Sequence, residues 1–287
     1  MEHSLAERIF DADRLDVKLK PSFAVLVLQD LAHSTGDEMT SGTIDDSQRK
    51  AARVWGFTYL FALANVMFVN FGIHDRFIVA GKAAETARNI MAHEQLFRVG
   101  IACDLLYCIC LVIALTALYV ILSPVNRNLA LFGAFCILVY ASMWVLMTLN
   151  VLDALRLLSG ADYLRAFEIG RLQALARRSL GASFDEYYVG LLFYGLGTTV
   201  LNCLWFKSGY IPKVLAGWGV AACAWCAACS FVFFIFPGFP KFVNLWWFDT
   251  PMGLFEITTS FWLLFRGLRP SGGGAGAARQ PTVNFSS

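Results

Sequence analysis

The sequence predicts an all-α fold, a polytopic transmembrane helix bundle of six spans with two interfacial amphipathic helices. Three observations carry this prediction. The chain is 57% hydrophobic and only 15% charged, against about half and about a quarter in soluble domains. Apolar stretches of about 20 residues recur along it, each long enough to cross the hydrocarbon core as a helix. Backbone groups facing lipid must be satisfied within their own segment, so an open irregular structure is excluded.

Residues 1–50 read as a polar leader without regular patterning, and Met39 offers a second possible start. The leader lacks the charged, apolar and small-residue regions of a signal peptide. Its one apolar run, FAVLVLQDLA at 23–32, is too short to span. A transmembrane domain follows at 51–269, with spans at 53–73, 97–121, 129–155, 184–206, 214–236 and 251–268. SPVNRN (123–128) and KSGYIPK (207–213) are tight turns that carry Arg127, Lys207 and Lys213 and no acid. With six spans these turns share a side with both termini. Short basic turns favour the cytoplasm, although bases on the other side are comparable in total. Two longer connections lie on that other side. Within them KAAETARNIMAHEQL (82–96) and LSGADYLRAFEIGRLQALARRSL (158–180) have the helix formers and apolar stripes of interfacial helices. The segment 270–287 is a flexible Gly/Ala-rich tail.

Net charge is +2, with no basic tract, so no nucleic-acid partner is expected. Phe, Tyr and Trp are plentiful, partly as interfacial belts require. All eight cysteines lie inside apolar runs, where cysteine acts as a small hydrophobe. The spacing of Cys223, Cys226 and Cys229 puts three thiols near one helix face, but no histidine lies nearby to complete a metal site. No metal and no cofactor is expected. His74, Asp75, His93 and Glu94 do not alter this, since nothing fixes the first pair against the second and no HExxH spacing occurs.

Polar residues inside spans are costly and face the bundle interior or a watery cavity. Here they are Asn65 and Asn70, then Asp104, then Asn150 and Asp153, then Asp185 and Glu186, and finally Glu256 with Thr259 and Ser260 on its face. All map to the half of the membrane away from the termini. The other half holds little beyond Asn202 and bases able to snorkel. The pattern predicts a polar pocket open to the extracytoplasmic side, or a set of residues satisfying one another near the interface. In AHEQLFRVGIACDLL (92–106), Glu94 and Arg98 form an i,i+4 pair. If one continuous helix joins them, His93 and Asp104 share a face about 16 Å apart and line one wall. The ligand-binding candidates read from the residues are His93, Glu94, Arg98, Asp104, Asn150, Asp153 and Glu256. Among these, Asp104, Asp153 and Glu256 are candidate catalytic acids.

Four segments together resemble a bacterial membrane family catalogued as domain of unknown function 4386: ARNIMAHEQLFRVGIACDLL (87–106), PVNRNLAL (124–131), LSGADYLRAF with RLQALA following (158–176), and GLLFYGLG leading to KSGYIPKVLAG (190–217). The resemblance covers about residues 53 to 268. It implies a multi-helix fold in the bacterial inner membrane, both termini cytoplasmic by the basic turns, and no established activity. It adds Asn89 to the candidates and repeats His93, Glu94, Arg98 and Asp104. The resemblance implies that relatives often carry histidines near the start and middle of the fourth span, where this chain has Ser183 and Gly197. Proton or metal chemistry at those positions therefore does not carry over.

Three classes of function fit. The first is binding of a small or amphipathic ligand, or of a partner helix, in the pocket. The second is a membrane-embedded enzyme in which a buried acid protonates or positions a lipid or isoprenoid, without a DDxxD-type diphosphate motif. The third is a small transporter acting as an oligomer. Membrane lipids are expected partners in each case, and a homo-oligomer fits all three.

Overall fold

The structure, a computed structural model, describes residues 44–79, 81–236, 238–239, 243 and 245–270. All of them belong to one compact unit, Gly42–Ser287. The apolar run at 23–32, Met39 and the Gly/Ala tail lie outside the described residues.

Seven helices carry the described chain: α1 Asp46–Val69, α2 Ala83–Ala92, α3 Glu94–Leu122, α4 Arg127–Leu158, α5 Ile169–Ser208, α6 Lys213–Ile235 and α7 Leu245–Phe265. No strand occurs among the described residues. The first helix starts at Asp46, ahead of the span edge expected at 53, because a capping box sets its origin. The Asp45 carboxylate accepts from the Asp46 N–H at 2.6 Å, and the Asp45 N–H donates to Gln48 Oε1 at 3.1 Å. These bonds satisfy donors that a helix start would otherwise leave unpaired. Asp45→Ala is expected to cost about 1 kcal/mol, read as a lower melting temperature at unchanged helix content. An unchanged melting temperature would contradict the cap's role.

At its other end α1 continues through a π-helical turn, Asn70–His74, and a last turn, Asp75–Phe77. The next two helices do not form the single rod that a shared His93–Asp104 wall needs. The backbone turns at His93 (φ −131°, ψ 40°), which ends α2 and starts α3. The 158–180 stretch also differs from a free-standing interfacial helix. Gly160 in the left-handed region (φ 69°) and a 3₁₀ turn at Asp162–Leu164 interrupt its first part. From Ile169 one helix of 40 residues runs on to Ser208. No proline occurs between these ends, so nothing stops the helix before the Gly209 cap (φ 67°). Its length of about 60 Å is twice the hydrocarbon thickness. The surplus is used for packing, as Ala176 and Leu180 join Ile90, Phe97, Val151, Ala154 and Leu155 in one buried cluster.

Six helices close a ring in the order α1, α3, α4, α5, α6, α7 and back to α1, with α2 against α5. Without a hydrophobic force between helices in lipid, close packing of small residues holds such a ring. A Cβ on Gly56 would lie 2.7 Å from the Ser260 carbonyl oxygen, and one on Gly195 would lie 2.9 Å from the Ala227 nitrogen. These are the α1–α7 and α5–α6 contacts. Five helices, α1 with its extension to Phe77 and α3 to α6, are long and apolar enough to cross a membrane. The chain is a multi-pass membrane protein. α7 completes the ring but carries Asp249, Pro251 and Glu256.

One end of the ring, the near end, is tied by hydrogen bonds. Gln48 Nε2 donates to the Ile121 carbonyl (3.0 Å) and to the Tyr210 hydroxyl (3.4 Å), and the Arg269 N–H donates to the Tyr210 carbonyl (2.8 Å). The start of α1, the end of α3, the α5–α6 turn and the chain after α7 therefore meet there. The α2–α3 corner and the α4–α5 connection lie at the far end.

Candidate functional site

Inside the ring, Glu256 stands midway along α7 and is 7% exposed. Tyr194 of α5 donates a hydrogen bond of 2.6 Å to Glu256 Oε1, and its hydroxyl is 2.9 Å from that of Tyr59 on α1. Three helices thus bring two phenols and a carboxyl into one chain. An ionisable group this deep in a membrane bundle is expensive and marks a working site unless its partners absorb the cost. Here the partners absorb part of it.

A cavity of about 30 Å³ opens beside the triad. That is room for one or two water molecules. Trp55, Tyr59, Tyr194, Trp205 and Phe255 supply aromatic walls, and Thr198, Asn202, Glu256 and Thr259 supply polar groups. Thr259 is fully buried, yet its hydroxyl has no hydrogen-bond partner in the protein. A buried hydroxyl without a partner costs about 1–3 kcal/mol. Asn202 Nδ2 is spent weakly, on Cys223 Sγ at 3.2 Å. From Glu256 the lining runs through Asn202, Leu118, Trp205 and Trp55 toward the near end. The sequence pattern had pointed to an opening at the far end.

The other candidates fall into separate places. His93 is exposed at the far end, stacked on Phe77 at 5.2 Å, with Nδ1 3.3 Å from the Asn89 carbonyl oxygen. Glu94 pairs with Arg98 as the spacing implied, at 2.7 Å and partly in solvent, so the pair contributes little. Asn150 Nδ2 donates to Glu186 Oε1 at 2.6 Å, and Asp153 accepts from Ser179 at 2.8 Å, both joining α4 to α5. Asp104 is 1% exposed but does not line the cavity. The Trp144 indole acts on its carboxyl without reaching hydrogen-bond geometry, which leaves Asp104 Oδ2 and Trp144 Nε1 both unpartnered. Of the eight sequence candidates, Glu256 is the one that the cavity includes.

Asp104 is thus a buried cost away from the cavity. Replacing an unsatisfied buried polar group by an apolar one is neutral or stabilising. Asp104→Leu is expected to melt at or above the wild-type temperature. A clear fall would show that the carboxyl has a partner or a task.

The family profile described as Domain of unknown function (DUF4386) matches residues 54–267. The chain belongs to this family. No curated protein and no solved structure matches it. The DUF4386 segment runs from α1 through α7 and contains every residue that lines the cavity. Ser183 and Gly197 both lie off the cavity. Ser183 donates to the Leu180 carbonyl at 2.7 Å, and Gly197 lies against Gly133 and Cys136 of α4.

Tyr59 and Tyr194 escaped the reading of this DUF4386 sequence because tyrosine in a span passes for an interfacial anchor. A usable signal was the spacing. Trp55 and Tyr59 are four apart, Tyr187 and Tyr194 seven apart, and Asp249 and Glu256 seven apart, each pair on one helix face. The second and third pairs do meet at the far end, where the Tyr187 hydroxyl donates to Asp249 Oδ2 at 3.3 Å.

Proposed function

We propose that this DUF4386 chain is a non-catalytic membrane receptor for a small polar ligand, or for the polar end of an amphipathic one, held at Glu256. The observation that carries this reading is the cavity beside Glu256, which Thr259 also lines and whose Thr259 hydroxyl has no partner in the protein. A ligand that donates to the Glu256 carboxyl and accepts from Thr259 satisfies both. In this reading α7 is a sixth span, since it fills the gap in the ring between α6 and α1. The bacterial inner membrane is its location, with the basic near end cytoplasmic.

Against a lipid or isoprenoid enzyme, the Glu256 carboxyl already accepts from Tyr194 at 2.6 Å. The enzyme reading also loses Asp153, which is exposed and bonded to Ser179, and Asp104, which lies off the cavity. Transport is the second reading, and buried polar groups on both sides of Glu256 favour it. Tyr187 and Asp249 lie toward the far end, and Thr198, Asn202 and Gln48 toward the near end. The π-helical turn in α1 and Pro251 in α7 add local irregularities of the kind that working membrane helices use.

Native mass spectrometry of the detergent-purified chain tests the receptor reading. Wild type and Asp104→Leu are expected to carry the same discrete non-protein mass, and Glu256→Gln to lose it while still folded. Retention by Glu256→Gln, or loss from a folded Asp104→Leu, would contradict it.

A further inference from the structure

At the near end α7 finishes in a cluster of hydrogen-bond donors. Arg266 lies 5.4 Å and Arg269 4.5 Å from the centre of the Trp262 ring, so the two guanidiniums stand within about 10 Å of each other. Like charges at that range are not fully screened by physiological salt. No carboxylate among the described residues pairs with either: the ion pairs there are Lys82–Glu85, Arg98–Glu94 and Arg165–Asp162, all at the far end. The Trp262 indole N–H is buried and also lacks an acceptor. Two planar guanidiniums therefore gather on one ring without a carboxylate partner among the described residues.

The cluster is held in place. The left-handed Gly267 (φ 67°) turns the chain back, and the Arg269 N–H donates to the Tyr210 carbonyl at 2.8 Å. Tyr210 is itself buried and held by Gln48. Each guanidinium is exposed at the rim of a membrane helix, where stacking on an aromatic ring orders it. The near end also carries Arg49, Lys50 and Arg53 on the first turns of α1 and Lys213 at the start of α6, which outnumber Asp45 and Asp46 at the start of α1.

We infer that Arg266 and Arg269, stacked on Trp262, form a binding site for the phosphate of an anionic membrane lipid. Planar forks of donors match phosphate oxygens, and basic pockets between helix ends take acidic headgroups. The site is separate from the Glu256 cavity and does not depend on it. A lipid fits better than a soluble phosphate because the anchor ring belongs to the membrane helix, which leaves the acyl chains facing the bilayer.

The test is stepwise binding of phosphatidylglycerol or phosphatidylcholine to the full chain in detergent, read by native mass spectrometry. The first phosphatidylglycerol should bind about tenfold more tightly than phosphatidylcholine. Arg266→Gln/Arg269→Gln should abolish that preference, and Arg165→Gln at the far end should leave it intact. The single variants should each lose part of it, which keeps the test open if the double variant folds poorly. Equal affinity for both lipids, or an unchanged preference in the folded double variant, would overturn the site. Inorganic phosphate should not displace the lipid. Displacement would reassign the site to a soluble phosphate and overturn the lipid assignment.

Discussion

Gly197→Leu is expected to abolish the folded bundle. On α5, a Cβ at Gly197 would lie 2.6 Å from Cys136 Cβ and 2.9 Å from the Gly133 carbonyl oxygen of α4. Neither can yield alone, because one is at the root of a side chain and the other is backbone. The clash therefore moves a whole helix. Overpacking in a tight core costs about 1–3 kcal/mol when side chains can adjust, and here the backbones must part as well. Gly133 adds to the constraint, since its own Cβ would meet Leu201 at 2.5 Å. The α4–α5 contact is also the longest seam of the ring, carried from the Gly133 level to Asn150–Glu186 and Ser179–Asp153. Expression followed by size-exclusion chromatography checks this. An aggregated or degraded product is expected, and a monodisperse peak with wild-type melting would contradict the packing. Gly181→Ala on the same helix, where a Cβ meets nothing within 4 Å, is the matched control and should be harmless.

Glu256→Ala is expected to have the second-largest effect, and it separates from Glu256→Gln. Alanine removes the acceptor of Tyr194 and leaves two linked phenols, Tyr59 and Tyr194, facing a larger cavity. Losing a buried acceptor costs about 1–3 kcal/mol, and the volume left behind adds to that. Glutamine keeps an acceptor of the same reach, so Tyr194 stays bonded and the fold should survive with a small loss. Ligand retention should fail in both variants, since the amide cannot offer a carboxylate to a donor ligand. Thermal unfolding followed by tyrosine and tryptophan absorbance distinguishes the two. Equal melting of both variants with wild type would remove the triad from the account of stability.

The helical membrane class was legible from hydropathy alone, because lipid leaves the backbone few options. The Glu94–Arg98 pair was legible too, being local in sequence. Two things escaped for a physical reason. Helix ends depend on backbone turns rather than on apolarity, so neither the break at His93 nor the uninterrupted run from Ile169 to Ser208 shows in a hydropathy window. Depth alone cannot say which polar residues meet, because that depends on helix rotation. Asp104 and Glu256 looked alike by depth and type. In the ring one turns toward Trp144 and the other toward Tyr194 and the cavity. Asn202 read as an isolated polar residue of the near half, yet it shares a cavity wall with Glu256.

The most direct measurement of the central claim is an electron cryo-microscopy map of the chain, taken from its own membrane into nanodiscs without added ligand. Ordered non-protein density is expected in contact with both the Glu256 carboxyl and the Thr259 hydroxyl. An empty or collapsed cavity, with density instead beside Asn150 and Glu186 at the far end, would contradict it.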